Sequence, residues 1–267
     1  MTRIHLFEFT DLPWYPQEFR DIQTDYLQFA SSMGSGHKFL IPLFQKALSH
    51  ARTSKIVDLC SGGMGPWKNL RKQLNNSGLP VTITLTDKFP NPKSLMRLEH
   101  DSIEGIKYFP NSIDATNVPD NMDGMRTLFE GFHHFRPEKA RKILLDAQSK
   151  RKAIGIFEAS LIPPTGIILL LLSPIITLLT YLFVTPFIRP FRFSRILFTY
   201  IIPLVPLATC WDGVISMLRV YSVEELNDLI EPFRSNKYIW ETGHASTGTP
   251  IFNFTYIVGY PNNQLDP

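Results

Sequence analysis

Ile56-Val57-Asp58-Leu59-Cys60-Ser61-Gly62-Gly63-Met64-Gly65-Pro66 constrains this chain more than any other stretch. An apolar pair leads into an acid, then a glycine-dense turn, then a proline suited to the first turn of a helix. A βα unit brings its backbone close to a nucleotide-like ligand in this way. Glycines allow tight or left-handed conformations and remove side chains that would block the ligand. Two further acids end or follow strand-like runs downstream, Asp87 and Asp114.

Around this motif, strand-like and helix-like segments alternate. Helical spacing runs over 16–30, 37–51, 66–75 and 137–150. Strand-like runs cover 54–58, 81–86, 108–113, 125–129 and 153–157. Ser222-Val223-Glu224-Glu225 is a capping box that opens another helix. Residues 238–242 and 251–260 then read as two strands, and the short connection with Gly243, Gly248 and Pro250 predicts an antiparallel hairpin. The pattern predicts an α/β fold: a doubly wound, mostly parallel seven-stranded sheet ending in that hairpin, with an apolar helical insertion. The expected divisions are an N-terminal helical flap over 1–53, an α/β core over 54–160, an apolar insertion over 161–212, and a last helix and two strands over 213–267.

These motifs resemble the class I S-adenosylmethionine-dependent methyltransferases. The resemblance runs from about 54 to 260, weakest across 160–212. It implies S-adenosylmethionine as cofactor, with the turn from Asp58 through Cys60, Ser61, Gly62 and Gly63 under its methionine part. Asp87, followed by Lys88, stands where the family binds ribose hydroxyls. Asp114, followed by Ala115, stands where it faces the adenine. Cys60 and Met64 make the turn atypical for the family. From chemistry alone, a carboxylate such as Asp87 can accept two hydrogen bonds from a vicinal diol. A dinucleotide site would want Gly-x-Gly-x-x-Gly, whereas the glycines here fall at 62, 63 and 65. An NAD-type oxidoreductase on the same architecture is the alternative enzyme. A membrane-anchored adaptor that has lost turnover is the alternative outside catalysis. Each acid also has a plain structural role open to it, because aspartate commonly ends strands and caps turns.

Ligands of doubly wound sheets gather at the carboxyl ends of strands. There the chain carries Glu130-Gly131-Phe132-His133-His134-Phe135 after the fourth strand and Glu158 after the fifth. Methyl transfer needs alignment, water exclusion and, for a protonated acceptor, a base. His133, His134 and Glu158 are the candidate catalytic residues, and histidine suits the base because it titrates near neutrality. Equally, one imidazole could pack among Phe129, Phe132 and Phe135 while the other caps the next helix. The loop lacks the Asn/Asp-Pro-Pro-aromatic motif of enzymes that methylate amides or bases. Amide or base methylation is therefore not expected; transfer to oxygen, nitrogen or carbon of a small molecule is, with oxygen first because a histidine-bearing loop suits hydroxyl activation.

No charged residue occurs from Ala159 to Ile188, and Gly166 to Val184 is long enough to cross a bilayer as a helix. Arg189, Arg192 and Arg195 follow, then a second uncharged run, Ile196 to Trp211, broken by Pro203 and Pro206. A single crossing would separate the last two strands from their sheet. The expectation is a hairpin dipping into one leaflet or a greasy lid on its surface, with the arginines near head groups, or else buried helices. Greasy walls at that edge imply a hydrophobic small-molecule or lipid substrate. Asp212 could hold a polar group of it or simply end the apolar run.

The net charge of +3 implies no nucleic-acid partner. Cys60 and Cys210 are too few and too far apart for a disulfide framework or a metal site. A cytoplasmic, membrane-associated protein is expected, because residues 1–9 lack a secretory apolar core. Oligomeric state is left open.

Overall fold

The computed structural model describes residues 3–32, 36–90 and 103–263. It falls into two compact units. One comprises Ser35–Ala159, Tyr221–Thr247 and Phe254–Pro267; the other Met1–Gly34, Ser160–Val220 and Gly248–Asn253.

The first is the sheet unit. Its helices are α2 (Ile41–Ala51), α3 (Trp67–Asn76), α4 (Pro137–Ser149) and α7 (Val223–Ile230). The strands are β1 (Lys55–Asp58), β2 (Thr82–Leu85), β3 (Ile106–Tyr108), β4 (Met125–Phe129), β5 (Ile154–Leu161), β6 (Tyr238–Ser246) and β7 (Phe252–Pro261). The ends of β5 and β7 count with the other unit. Their order is β3-β2-β1-β4-β5-β7-β6. The first five strands pair in parallel, with Asp58 beside Leu85 and Thr127, and Phe129 beside Phe157. The β5-β7-β6 end is antiparallel, so the expected fold is the one observed.

Every residue of β4 is buried, as suits a central parallel strand. One core cluster packs Val57, Leu128 and Ile156 of the sheet against Ala140, Ile143 and Leu144 of α4 and Leu226, Leu229 and Ile230 of α7. The predicted capping box starts α7: Ser222 Oγ accepts the Glu225 N–H, and the Glu225 carboxylate accepts the Ser222 N–H.

Several boundaries differ from the sequence reading. The third strand ends at Tyr108 rather than beginning there. Phe109 makes the last ladder bond, to the Leu85 carbonyl at 2.8 Å, and Pro110 has no N–H to continue. The fifth runs four residues past Phe157, a continuation masked by the polar Glu158. Residues 36–53 belong to the sheet unit rather than to a flap. The reason is α2, whose Phe44 is fully buried and stacks on Phe157 at 5.3 Å and Phe129 at 6.4 Å.

The other unit is apolar and helical: α1 (Gln17–Ser32), α5 (Thr165–Val184) and α6 (Leu204–Arg219), with a short helical stretch Phe193–Ile201 before α6. Tyr26 of α1 stacks on Tyr181 of α5 at 3.8 Å, and Ile22, Ile188 and Val205 complete its core. Tyr15 and Tyr26 are thus core residues of this unit, whereas Trp14 is exposed.

Candidate active site

At the carboxyl end of β1 the chain turns through a series of left-handed residues: Cys60 (φ 56°), Gly62 (φ 49°), Met64 (φ 105°) and Gly65 (φ 54°). Two of these, Cys60 and Met64, lack glycine's freedom; Met64 is buried, and its N–H donates to the Ser61 carbonyl at 2.9 Å. Asp58 is the brace. Its Oδ1 accepts from Thr127 Oγ1 at 2.6 Å and its Oδ2 from Ser61 Oγ at 2.7 Å, while its carbonyl accepts from Thr86. Burial pushes the Asp58 carboxyl up to about 7, against the opposing hydrogen bonds from Thr127 and Ser61. With both oxygens turned inward, Asp58 shapes the turn. Ser61 serves the same network, its N–H donating to the Thr86 carbonyl.

Asp87 follows β2 and reaches back to the turn. Its Oδ2 accepts the Gly62 N–H at 3.0 Å and its Oδ1 the Phe89 N–H at 2.8 Å. Burial raises its carboxyl, opposed by these N–H donors. Lys88 Nζ meets Asp114 Oδ2 at 2.6 Å, and Asp114 Oδ1 accepts from the N–H and hydroxyl of Thr116. The Lys88 bond first, then Thr116, holds the Asp114 carboxyl down to about 2. Ala115 lies in the apolar core.

These groups converge. Asp87, Asp58 and Asp114 all act electrostatically on Cys60, whose thiol is pushed up by burial first and then by the three acids. A Cβ placed on Gly62 would meet no atom within 4 Å, so the turn borders open space. Gly63 sits in the same turn. Two surface hollows among the described residues, of about 530 and 580 Å³, lie elsewhere, beside α3 and at the opposite ends of the strands.

A second cluster joins the ends of β4 and β5. Glu158, almost fully buried, accepts at Oε1 from the Phe132 N–H at 2.7 Å, the His133 N–H at 3.1 Å and the His133 ring at 3.0 Å. Burial works to raise the Glu158 carboxyl, but the charge and hydrogen bonds of His133 outweigh it and hold the group below its ordinary value. Glu158 Oε2 has no hydrogen-bond partner among the described residues. His134 lies against His133 with ring centroids 4.3 Å apart. All three predicted catalytic residues therefore meet.

Of three neighbours, Glu130 was read at this loop but given no catalytic role, and Phe89 and His37 escaped the sequence reading of the site. Glu130, in a left-handed conformation, accepts the Ala159 N–H at 2.9 Å beside Glu158. Burial of its inner side and then the Glu158 charge raise its carboxyl, although its outer side meets solvent. Phe89 is exposed next to Lys88, and His37 lies edge-on to Phe129 and Phe254. Phe89 lies two residues after the ribose-position acid, which was a usable signal. His37 offered none, because only folding carries it to the end of β4.

No protein-family model matches the sequence, and no curated protein sequence does either. Solved structures do. Human N-acetylserotonin methyltransferase in complex with SAM matches 95% of this chain at 14% identity with a TM-score of 0.51. This is the class I methyltransferase fold. LepI in complex with SAM matches 78% of the chain at 14% identity and a TM-score of 0.43. The O-methyltransferase NcsB1 from neocarzinostatin biosynthesis matches 93% at 10% identity and 0.45. The chain spans 62%, 43% and 62% of the length of these three proteins, respectively.

Proposed function

We propose that the protein is an S-adenosylmethionine-dependent methyltransferase that methylates a hydroxyl of a hydrophobic small molecule. The observation that carries this reading is that Asp58 and Asp87 both bind the glycine turn, through Ser61 and Gly62, while Lys88 beside Asp87 pairs with Asp114. The residues fit the cofactor. Gly62 borders open space, and each Asp87 oxygen takes one backbone N–H and keeps a second lone pair for a vicinal diol. In this role Asp87 holds the ribose hydroxyls, the Lys88–Asp114 pair meets the adenine, and Gly62 and Gly63 give the backbone room.

When bound, S-adenosylmethionine supplies a methyl group already activated by its sulfonium. The protein then has to align the acceptor, exclude water and take a proton. Glu158 orients His133 through Nδ1, and Nε2 is the nitrogen that takes the hydroxyl proton. The acidic neighbour stabilises the imidazolium that results. A hydrophobic acceptor is supported by the uncharged stretch that begins at Ala159, directly after Glu158 in sequence.

Calorimetry with S-adenosylhomocysteine, set against NADH, tests the cofactor. Saturable binding of the first is expected. Binding of NADH alone would overturn the proposal in favour of an oxidoreductase. Transfer of a labelled methyl group to hydrophobic phenols tests the reaction. Cofactor binding without transfer to any acceptor would favour the adaptor.

A further inference from the structure

The apolar unit presents a face that methyl transfer does not use. The helix Thr165–Phe187 covers 23 residues; its most apolar 18-residue window has a mean hydropathy of 2.6, with only 6% of it buried. Leu171 and Phe183 are each 73% exposed, and Ile168 and Ile175 more than half exposed. Most of the exposed large apolar side chains among the described residues fall between Ile167 and Trp211. By length, such a helix could cross a bilayer.

The remainder of the unit argues against crossing. The return path is not a straight span: Phe193–Ile201 and Leu204–Arg219 meet at 77°. Helix α6 packs back along α5, with Cys210 Sγ against the Pro174 carbonyl at 3.2 Å and Thr209 against the Tyr181 hydroxyl at 3.3 Å. Along the same hairpin lies α1, which carries Glu18, Arg20, Asp21 and Asp25. It is tied there at successive stations. Asp212 accepts the Phe9 N–H at 2.7 Å and Gln23 Nε2 at 3.2 Å. Tyr26 bonds Thr180 at 2.5 Å, and Asp25 pairs with Arg195 and, at 3.6 Å, with Arg192. A helix with four charges cannot enter hydrocarbon, and it follows the hairpin almost from base to tip.

The charge pattern then selects the occupant. Arg195 is 1% exposed and Arg192 faces Asp21 and Asp25, so neither reaches toward head groups as the sequence suggested. Asp212 likewise serves the N-terminal segment. Arg189 is exposed, between the exposed Phe187 and Phe191. An uncharged face complements hydrocarbon, and one cation among aromatics complements lipid phosphate. A protein partner would call for a polar rim around that face.

We propose that this unit lies in the plane of one bilayer leaflet, with the outer face of α5 and the Phe187–Phe193 rim in the lipid and α1 on the water side. The inference does not rest on the methyltransferase reading, since vesicle binding needs no cofactor and either can fail alone.

The test is flotation of the full chain with phosphatidylcholine vesicles. The protein is expected to float, and the Leu171→Glu/Ile175→Glu/Phe183→Glu variant, altered only at exposed positions, to bind at least about tenfold more weakly with an unchanged circular dichroism melt. Tryptophan placed in turn at Ile168, Ile175 and Phe183 is then read with lipids brominated at shallow or deep positions. Similar, shallow quenching at all three is expected; a gradient along the helix means a crossing and overturns the proposal. A native chain that stays with the buffer, or forms a stable dimer there without binding vesicles, overturns it as well.

Discussion

Asp87 accepts the Gly62 N–H at 3.0 Å, so an acid at the end of β2 and the glycine turn after β1 hold each other across 25 residues of sequence. The bond explains why the turn keeps its left-handed course, and it aims the carboxylate along the edge of open space. Asp87→Ala is expected to weaken S-adenosylhomocysteine binding about tenfold or more, the scale of a charge-assisted hydrogen bond. Calorimetry reads this directly, and unchanged affinity would remove the ribose assignment.

Gly62 has φ 49° and open space beyond its missing Cβ. Gly62→Ala therefore costs about 1 kcal/mol of backbone strain while placing a methyl group in the proposed cofactor space. The melting temperature should fall by a few degrees at most, about what that energy predicts. Affinity for S-adenosylhomocysteine should fall far more. Equal, small losses in both would mean that the space is not used.

His133 keeps Glu158 ionised. In wild type the lowered carboxyl contributes stability above the ordinary glutamate value of about 4.3, and loses it as pH falls further. In His133→Phe burial, the backbone donors and the weaker pull of His134 remain. The carboxyl should then rise above its ordinary value, and its contribution should instead be lost as pH increases. Carbon-13 titration of the glutamate carboxyls checks the reversal. The same variant should lower methyl transfer by about a hundredfold or more, with cofactor affinity unchanged.

Asp58 works in the opposite direction. Its carboxyl stands near 7 in the folded chain against 3.8 ordinarily, so its contribution is full below about 3.8 and is lost as pH rises toward 7. Urea unfolding at several pH values should show a shallower decline across that window in Asp58→Asn. Asp87 is raised as well, so the slope shrinks without vanishing. An unaltered slope would contradict the burial of a carboxylate at this position.

In the apolar unit, Arg195 and Asp25 form a buried ion pair. Arg195→Met leaves Asp25 buried without that partner and should cost about 3–5 kcal/mol. Adding Asp25→Leu should recover much of it. Denaturant melts of the two variants decide the matter, and equal stability in both would show that the pair is not desolvated.

Much of this protein was legible from local pattern. Period-two and helical spacing located nearly every element, because burial on one face imposes its own rhythm on the chain. The capping box at Ser222 and the hairpin near Gly248 are local chemistry and were read as such. The acids at 58, 87 and 114 were visible because strand ends announce themselves. Their division of labour was not: Asp58 turns inward only because Thr127, on a neighbouring strand, offers a hydroxyl at 2.6 Å. The third strand was misplaced because Pro110 acts on a ladder bond that sequence does not display.

By itself, then, the sequence determined the alternation of strands and helices, the carboxylates at the strand ends and the uncharged segment after Glu158. Each follows from side-chain chemistry within a few residues. Only the tertiary structure decided that His133 and Glu158 meet, that Arg192 and Arg195 face Asp25 instead of solvent, and that 36–53 packs with the sheet. Those outcomes depend on partners distant in the chain, whose burial and charge become a constraint only once the fold has brought them within reach.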